Sequence, residues 1–102
     1  PCIIAVWEQI SDRLRERYGD KYSTWAPMDI GLSVAHLCLA AAQEGLGTCI
    51  MGVFDEAVCK QLIDIPPEGT LRLLITVGYP LEPKPPREKK RLPVEKVTVF
   101  LE

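Results

Sequence analysis

The segment DIGLSVAHLCLAAAQEGLGTCIMGVFD, residues 29–55, determines most of the predicted fold. Residues 29–44 contain no proline and begin with Asp29, which predicts a helix that ends at the glycines Gly45 and Gly47. Residues 48–53 predict a short strand interrupted by Gly52, and Asp55 predicts the start of another helix. The segment therefore predicts a helix, a strand and a second helix in that order.

The helix at 29–44 is apolar on most of its sides. Its polar residues form one narrow stripe at helical spacing, made of Asp29, Ser33, His36, Gln43 and Glu44. A helix of this kind must be buried on most sides, and a domain of 102 residues can hardly enclose it alone. The small residues at 40–42 would let another helix approach closely. We therefore predict that this helix lies at the centre of a homodimer interface.

The rest of the chain predicts a sheet with helices beside it. Residues 2–7 form a continuous apolar run, typical of a strand buried on both faces, and residues 70–77 predict another apolar strand. Residues 94–101 alternate between apolar and polar, which predicts a strand with one solvated face, paired within the chain or with a partner. Residues 8–18 predict a charged surface helix and residues 19–27 a loop. The helix that Asp55 begins would stop before Pro66 and turn four residues inward, namely Val58, Cys59, Leu62 and Ile63.

Composition limits the chain to one globular domain, and the order of its strands and helices predicts an α+β or α/β class. It has 102 residues, 47% of them hydrophobic, and a net charge of −2. No apolar run approaches the ~18 residues of a membrane span, and no signal-peptide pattern opens the chain. Because Pro1 is followed at once by the first strand, we expect the chain to be cut from a longer one.

The four cysteines, Cys2, Cys38, Cys49 and Cys59, predict buried, reduced thiols in a cytoplasmic protein. They contain no CxxC pair, and only one histidine, His36, accompanies them, so no metal site is predicted. A single histidine in an apolar helix indicates hydrogen-bonded structure more than catalysis. No triad or carboxylate pair is recognisable, so no catalytic side chain is predicted.

Positive charge is concentrated near the C-terminus. Residues 84–96 carry six bases (Lys84, Arg87, Lys89, Lys90, Arg91 and Lys96) against two acids, and five of the nine prolines lie between Pro80 and Pro93. Such a segment predicts an extended basic arm at 81–102. It serves either as a solvated tail or as an anion site, phosphate being the obvious anion. Nucleic acid is a poorer ligand, because the pI is about 5.4 and the arm lacks interleaved aromatics.

The glycines around residues 45–52 do not form a nucleotide motif. Residues 45–48 follow a helix and enter a strand, the reverse of a dinucleotide-binding turn, and the Walker A lysine is lacking. Gly52 is more informative, because a glycine within a strand permits a flat ligand to approach the backbone closely or marks a bulge. The sequence leaves these two alternatives open.

In order and spacing, five segments of the chain resemble the FMN-dependent nitroreductases. They are Pro1-Cys2-Ile3-Ile4-Ala5-Val6, Asp29-Ile30-Gly31, Leu37-Cys38-Leu39-Ala40-Ala41 running into residues 45–55, Val77-Gly78-Tyr79-Pro80, and Arg91-Leu92-Pro93-Val94-Glu95. The resemblance covers nearly the whole of this chain and the C-terminal part of the family's length.

The resemblance implies a homodimer with an α+β fold, a mixed sheet flanked by helices, FMN at the dimer interface and C-terminal segments exchanged between subunits. NADH or NADPH would reduce the flavin, which would then reduce a nitroaromatic or a quinone. By the same resemblance, Ile50, Met51 and Gly52 would face the flavin. The phosphate would be held by Lys89 and Arg91, with Arg87 as a further candidate.

The chain departs from the family at its start. It contains neither the Arg-Arg-Ser-x-Arg motif nor the Pro-Ser-x-x-Asn-type segment that contact FMN in the family. We therefore expect this chain alone to hold FMN weakly. The alternative function is a non-catalytic flavin-binding or dimerisation module.

Overall fold

The structure is a computed structural model that describes residues 1–82, 85 and 87–101. Over these residues the chain forms three strands, three α-helices and one short 3-10 helix, listed here in chain order: β1 (Cys2–Glu8), α1 (Asp12–Tyr18), α2 (Lys21–Gln43), β2 (Gly47–Met51), α3 (Glu56–Leu62), β3 (Thr70–Gly78) and η1 (Val94–Lys96). The predicted α+β fold with helices beside a sheet is confirmed.

The three strands form one sheet in the order β1–β3–β2, so the last strand along the chain lies in the middle. Both pairings are antiparallel, where the resemblance predicts a mixed sheet. Ile4, Ile75 and Ile50 lie opposite one another in a single row across the sheet. Ile75, on the central strand, is the largest fully buried side chain among the described residues.

Strand β1 is confirmed, but the prediction that it is buried on both faces is wrong. It lies at an edge of the sheet, and Ile3 is 66% exposed. An apolar run predicts a strand, but it does not show whether one face or both faces are buried. Burial of each face depends on elements elsewhere in the fold.

A bulge connects the end of β1 to β3. Val6 pairs with Leu73 and Trp7 with Leu71, so Arg72 is the extra residue on β3. The guanidinium Nε of Arg72 donates to the carboxylate Oε2 of Glu8 at 2.7 Å, and the Glu8 side chain is only 8% exposed. Glu8 thus belongs to the strand, and the predicted helix at 8–18 begins only after its N-cap, Ser11.

Helix α2 is longer than predicted, because residues 21–28 belong to it. The predicted loop at 19–27 is wrong after Asp20, and Pro27 lies inside the helix. Proline removes one backbone hydrogen bond and disfavours a helix interior. Packing between α1 and α2 offsets that cost, since the Tyr18 and Trp25 rings stack edge to face at 5.6 Å and Ala26 is buried.

The predicted helix boundaries at Gly45 and Asp55 are confirmed. Gly45 has a φ of 74°, and the amide of Leu46 donates to the carbonyl of Ala41 at 2.9 Å, which closes the end of α2. The Asp55 carboxylate accepts from the amide of Val58 at 3.0 Å and caps α3.

The core of the single chain is small, and α2 is not buried within it. Only Ala26 and Val34 of this helix are buried, whereas Met28, Leu32 and Leu39 are 56%, 64% and 71% exposed. A sheet of three strands cannot cover such a helix on most of its sides. This exposure agrees with the expectation that one chain can hardly enclose the helix, and the place of α2 in a dimer interface stays a prediction.

The apolar face of α3 is likewise open. Val58, Leu62 and Ile63 are 50%, 76% and 47% exposed, so the prediction that this face is buried is wrong within the chain; Cys59 is half-buried. The four cysteines are free thiols, but Cys2 and Cys49 are exposed, so their predicted burial is also wrong. Both differences arise because the described residues supply only one layer against the sheet.

The predicted strand at 94–101 is not formed. Residues 94–96 form η1, the following described residues have no regular structure, and Val97, Val99 and Leu101 are exposed. The alternation of apolar and polar residues determines the two faces of a strand, but a strand also needs a neighbour to pair with. Residues 94–101 do not pair with the sheet. The Cα radius of gyration is 17.5 Å, against ~13 Å for a compact domain of 100 residues.

By length and composition, α2 meets the threshold for a membrane-spanning helix, contrary to the prediction that no segment approaches it. A helix in the core of a globular domain meets the same threshold. Here α2 packs against α1 and β2.

Candidate functional site

The end of β2 presents a short apolar surface. Ile50 is 50% exposed and Met51 is partly exposed, while Gly52 lies just beyond the last residue of the strand. The prediction that Gly52 interrupts the strand is therefore wrong, since β2 pairs with β3 in one regular register and ends at Met51. After Met51 the chain turns toward α3, so Gly52 no longer pairs with β3.

This arrangement removes one of the two alternatives for Gly52, while the approach of a flat ligand stays a prediction. A bulge is excluded, because the pairing of β2 shows no irregularity, and the φ of Gly52 is not positive. A Cβ atom at this position would meet only the Leu73 Cδ2 atom, at 3.9 Å. Nothing within the described chain requires a glycine there, so the surface is open to a group that approaches from outside.

The basic arm supplies exposed positive charge away from the sheet. Arg87, Lys89 and Arg91 are exposed and lie in irregular backbone, and Lys84 lies outside the described residues. Among residues 1–82, 85 and 87–101, the one ion pair joins Arg72 to Glu8, and every hydrogen bond made by an arm residue stays within the arm. Among the described residues, no hydrogen bond or ion pair links these cations to the end of β2.

His36 has the structural role that the sequence indicates. Its Nδ1 atom donates to the carbonyl oxygen of Leu32, one turn earlier in α2, at 2.8 Å. Because a carbonyl can only accept, this bond fixes Nδ1 as the protonated nitrogen. Across the described residues, no three His, Cys, Asp or Glu side chains are grouped closely enough to hold a metal ion.

The residues present fit parts of FMN, which combines a flat ring with a phosphate dianion. Ile50 and Met51 offer apolar contact to a ring, and the open surface at Gly52 lets a ring edge reach the backbone. Arg87, Lys89 and Arg91 offer charge-assisted hydrogen bonds to a phosphate. The basic arm and the apolar surface would bind the same FMN molecule only if the arm reached the end of β2, in its own chain or in a partner.

Sequence reasoning missed two charged residues close to this surface. Glu56 and Lys60 stand four residues apart on α3, the spacing of an ion pair within a helix. Instead, Glu56 accepts from the amide of Leu71 in β3, and Lys60 donates to the carbonyl of Pro67 in the segment that leads into β3. The one indication in the sequence is the Pro66-Pro67-Glu68-Gly69 turn, whose carbonyl groups need donors from elsewhere.

Residues 1–79 match the family model described as "Nitroreductase family". The match spans the whole sheet, all three helices and the surface at the end of β2. This chain belongs to the nitroreductase family.

Individual relatives agree with this assignment. An iodotyrosine deiodinase of Thermotoga neapolitana is 31% identical over 68 residues, which are 67% of this chain and 37% of that protein. A nitroreductase family protein of Streptococcus pneumoniae is 28% identical and aligns with a TM-score of 0.64 over 91% of this chain and 42% of its own. An FMN-dependent nitroreductase of Clostridium difficile, 19% identical, shares the fold with a TM-score of 0.68 over 95% of this chain and 56% of its own. The chain thus spans about two-fifths of the length of the first two relatives.

Proposed function

We propose that this chain is part of an FMN-dependent NAD(P)H oxidoreductase of nitroreductase type, which reduces nitroaromatic or quinone-like acceptors. Membership of a family of flavin oxidoreductase type supports the proposal. The observation that carries it is the open apolar surface at the end of β2, where Gly52 leaves the backbone accessible from outside the described chain.

Each part of the cofactor has residues assigned to it in this proposal. Ile50 and Met51 pack against the ring, and the backbone at Gly52 approaches its polar edge. Arg87, Lys89 and Arg91 hold the phosphate by charge-assisted hydrogen bonds. Bound FMN would supply the centre that accepts and donates hydride, so the protein binds and orients without an acid–base side chain of its own.

A homodimer is part of the proposal. The exposed apolar residues Met28, Leu32 and Leu39 of α2 would be covered by the partner, and Ala40–Ala42 would permit close packing. An exchange of C-terminal segments between subunits would cover Val97, Val99 and Leu101 and would bring the arm to the partner's flavin. This accounts for the lack of a hydrogen bond between the described residues of the arm and their own sheet.

We also propose a cytoplasmic location, with neither a membrane nor a nucleic acid as partner. Four free cysteines, two of them exposed, suit a reducing compartment. The acidic pI of about 5.4 disfavours binding to nucleic acid.

Two other functions compete with this one. The 31% identical deiodinase favours an iodotyrosine as the electron acceptor. A non-catalytic flavin-binding or dimerisation module would use the same open surface at the end of β2 and the same exposed face of α2 without turnover.

Anaerobic reduction tests the proposal. The protein is mixed with FMN, and NADH or NADPH is added while flavin absorbance near ~450 nm is followed, with free FMN as the control. We expect bleaching faster than in the control, and recovery of absorbance when a nitroaromatic or a quinone is added. Recovery of flavin absorbance with iodotyrosine alone would favour deiodinase activity. Flavin bleaching no faster than that of free FMN would favour the non-catalytic module.

A further inference from the structure

The turn that follows β2 is anchored at both ends, by β2 on one side and by α3 on the other. Residues 52–54 link the last pair of β2, Met51 with Leu74, to the capping residue Asp55 of α3. Within the turn, Val53 is 99% exposed and the space above Gly52 is open, and only Phe54, next to the capping residue, is half-buried. Its position therefore depends on how firmly β2 and α3 are held.

Glu56 fixes α3 to the central strand. Its Oε1 atom accepts a hydrogen bond from the amide of Leu71 at 3.1 Å. Leu71 is only 4% exposed, so its amide needs a partner inside the protein. Leu71 and Leu74 stand three residues apart on β3, about 10 Å, so both ends of the turn are tied to one short stretch of the same strand.

Lys60 makes a second connection one helical turn further along. Its Nζ atom donates to the carbonyl of Pro67 at 2.9 Å and to the carbonyl of Gly69. The amide of Ile65 donates back to the carbonyl of Lys60 at 3.0 Å and closes the helix end. These bonds prevent α3 from sliding along the segment that leads into β3.

We propose that Glu56 and Lys60 are positioning residues for the flavin-facing turn at residues 52–54. The proposal rests on the proposed function, because it assigns to that turn the contact with the flavin. Neither side chain touches the cofactor. Each side chain fixes the position of α3. Helix α3 then fixes the position of the Gly52 backbone, so that the edge of the flavin ring can contact it.

The test compares Glu56→Ala with Glu56→Gln in the purified protein. The carboxamide oxygen of glutamine can still accept from the Leu71 amide, whereas alanine cannot. Gln61→Ala is the matched control, because Gln61 is exposed on the same helix and makes no side-chain hydrogen bond among the described residues. Two quantities are measured, hydrogen exchange of the peptide covering residues 52–58 without FMN, and the dissociation constant for FMN by equilibrium dialysis.

We expect Glu56→Ala to raise exchange in this peptide and to weaken FMN binding, each by about tenfold, the usual effect of losing one hydrogen bond to a charged group. Glu56→Gln and Gln61→Ala should stay within about twofold of the wild type in both measurements. If Glu56→Ala does not fold, Lys60→Met, which keeps the aliphatic stem, replaces it with the same expectation.

Three results would overturn the proposal. Exchange unchanged in Glu56→Ala would show that the carboxylate does not hold the turn. A lower melting temperature with an unchanged FMN dissociation constant would show a role in stability alone. If the wild type binds no FMN, the proposed function fails and the flavin role fails with it, while the exchange data still decide whether Glu56 holds the turn.

Discussion

Gly69 is the position where the structure predicts the largest effect from the smallest substitution. It is buried, and a Cβ atom there would lie 2.7 and 2.8 Å from two carbons of the Trp7 ring and 2.9 Å from Ile65 Cγ2. Ordinary carbon contacts begin near ~3.5 Å, so the ring and the isoleucine would each have to move by roughly 0.6–0.8 Å. Ile65 is buried where it closes the end of α3, and the Trp7 ring, 38% exposed, extends from a backbone that is paired with Leu71, so relief requires the ring to turn outward.

We expect Gly69→Ala to lower the free energy of unfolding by about 1–3 kcal/mol, the usual cost of overpacking a filled site. This corresponds to about 1 M less urea at the unfolding midpoint, followed by tryptophan fluorescence. Gly47→Ala is the matched control, since its Cβ atom would meet no atom closer than 3.6 Å. It should be neutral or stabilising by up to ~1 kcal/mol, because alanine is less flexible than glycine in a strand. A Gly69→Ala midpoint equal to that of the wild type would refute the packing of Trp7 against this turn.

Four further predictions concern the site, the interface and one helix end. Gly52→Val should leave the FMN-free protein within ~0.5 kcal/mol of the wild type, because the space is open, yet weaken FMN binding at least tenfold in dialysis; equal affinity would place the ring elsewhere. Arg91→Ala should weaken FMN binding by about 1.5–3 kcal/mol, and Lys90→Ala by clearly less; equal losses would indicate diffuse charge instead of a phosphate ligand. Leu39→Asp should convert a dimer to a folded monomer on a sizing column, since Leu39 is 71% exposed within the chain and would be buried only by a partner; an intact dimer would move the interface off α2. Gly45→Ala should cost about 1 kcal/mol in thermal unfolding because its φ is 74°, whereas Gly31→Ala, in the open interior of α2, should not destabilise the single chain.

The elements that were predicted correctly are those set by interactions between residues close together in the sequence. The apolar runs that became β1 and β3, the glycine that ends α2 and the aspartate that caps α3 each act within a few residues of themselves. Such interactions are the same in any surroundings. The sequence therefore placed these elements nearly where the structure has them.

The wrong predictions depended on packing or pairing with another element of the molecule. Pro27 suggested a loop, but packing of Trp25 on Tyr18 keeps the helix intact around it. The alternation at 94–101 indicated two faces without indicating a strand to pair with. The apolar face of α3 indicated burial, but the residues that would cover it do not lie among the described ones.

The candidate site divides in the same way. The resemblance located the surface at residues 50–52, and the structure adds that Gly52 lies beyond the strand on an open surface. Glu56 and Lys60 could not be predicted, because their spacing suits an intrahelical pair and only the folded chain shows that they bind the backbone near β3 instead.

The most direct test of the central claim, that this chain contributes a flavin site, is equilibrium dialysis of the protein against FMN, read by absorbance near ~450 nm. The account predicts saturable binding of one FMN per chain, weakened by Gly52→Val and by Arg91→Ala. Binding that stays undetectable up to about 1 mM FMN, equivalent to less than ~4 kcal/mol, would contradict it.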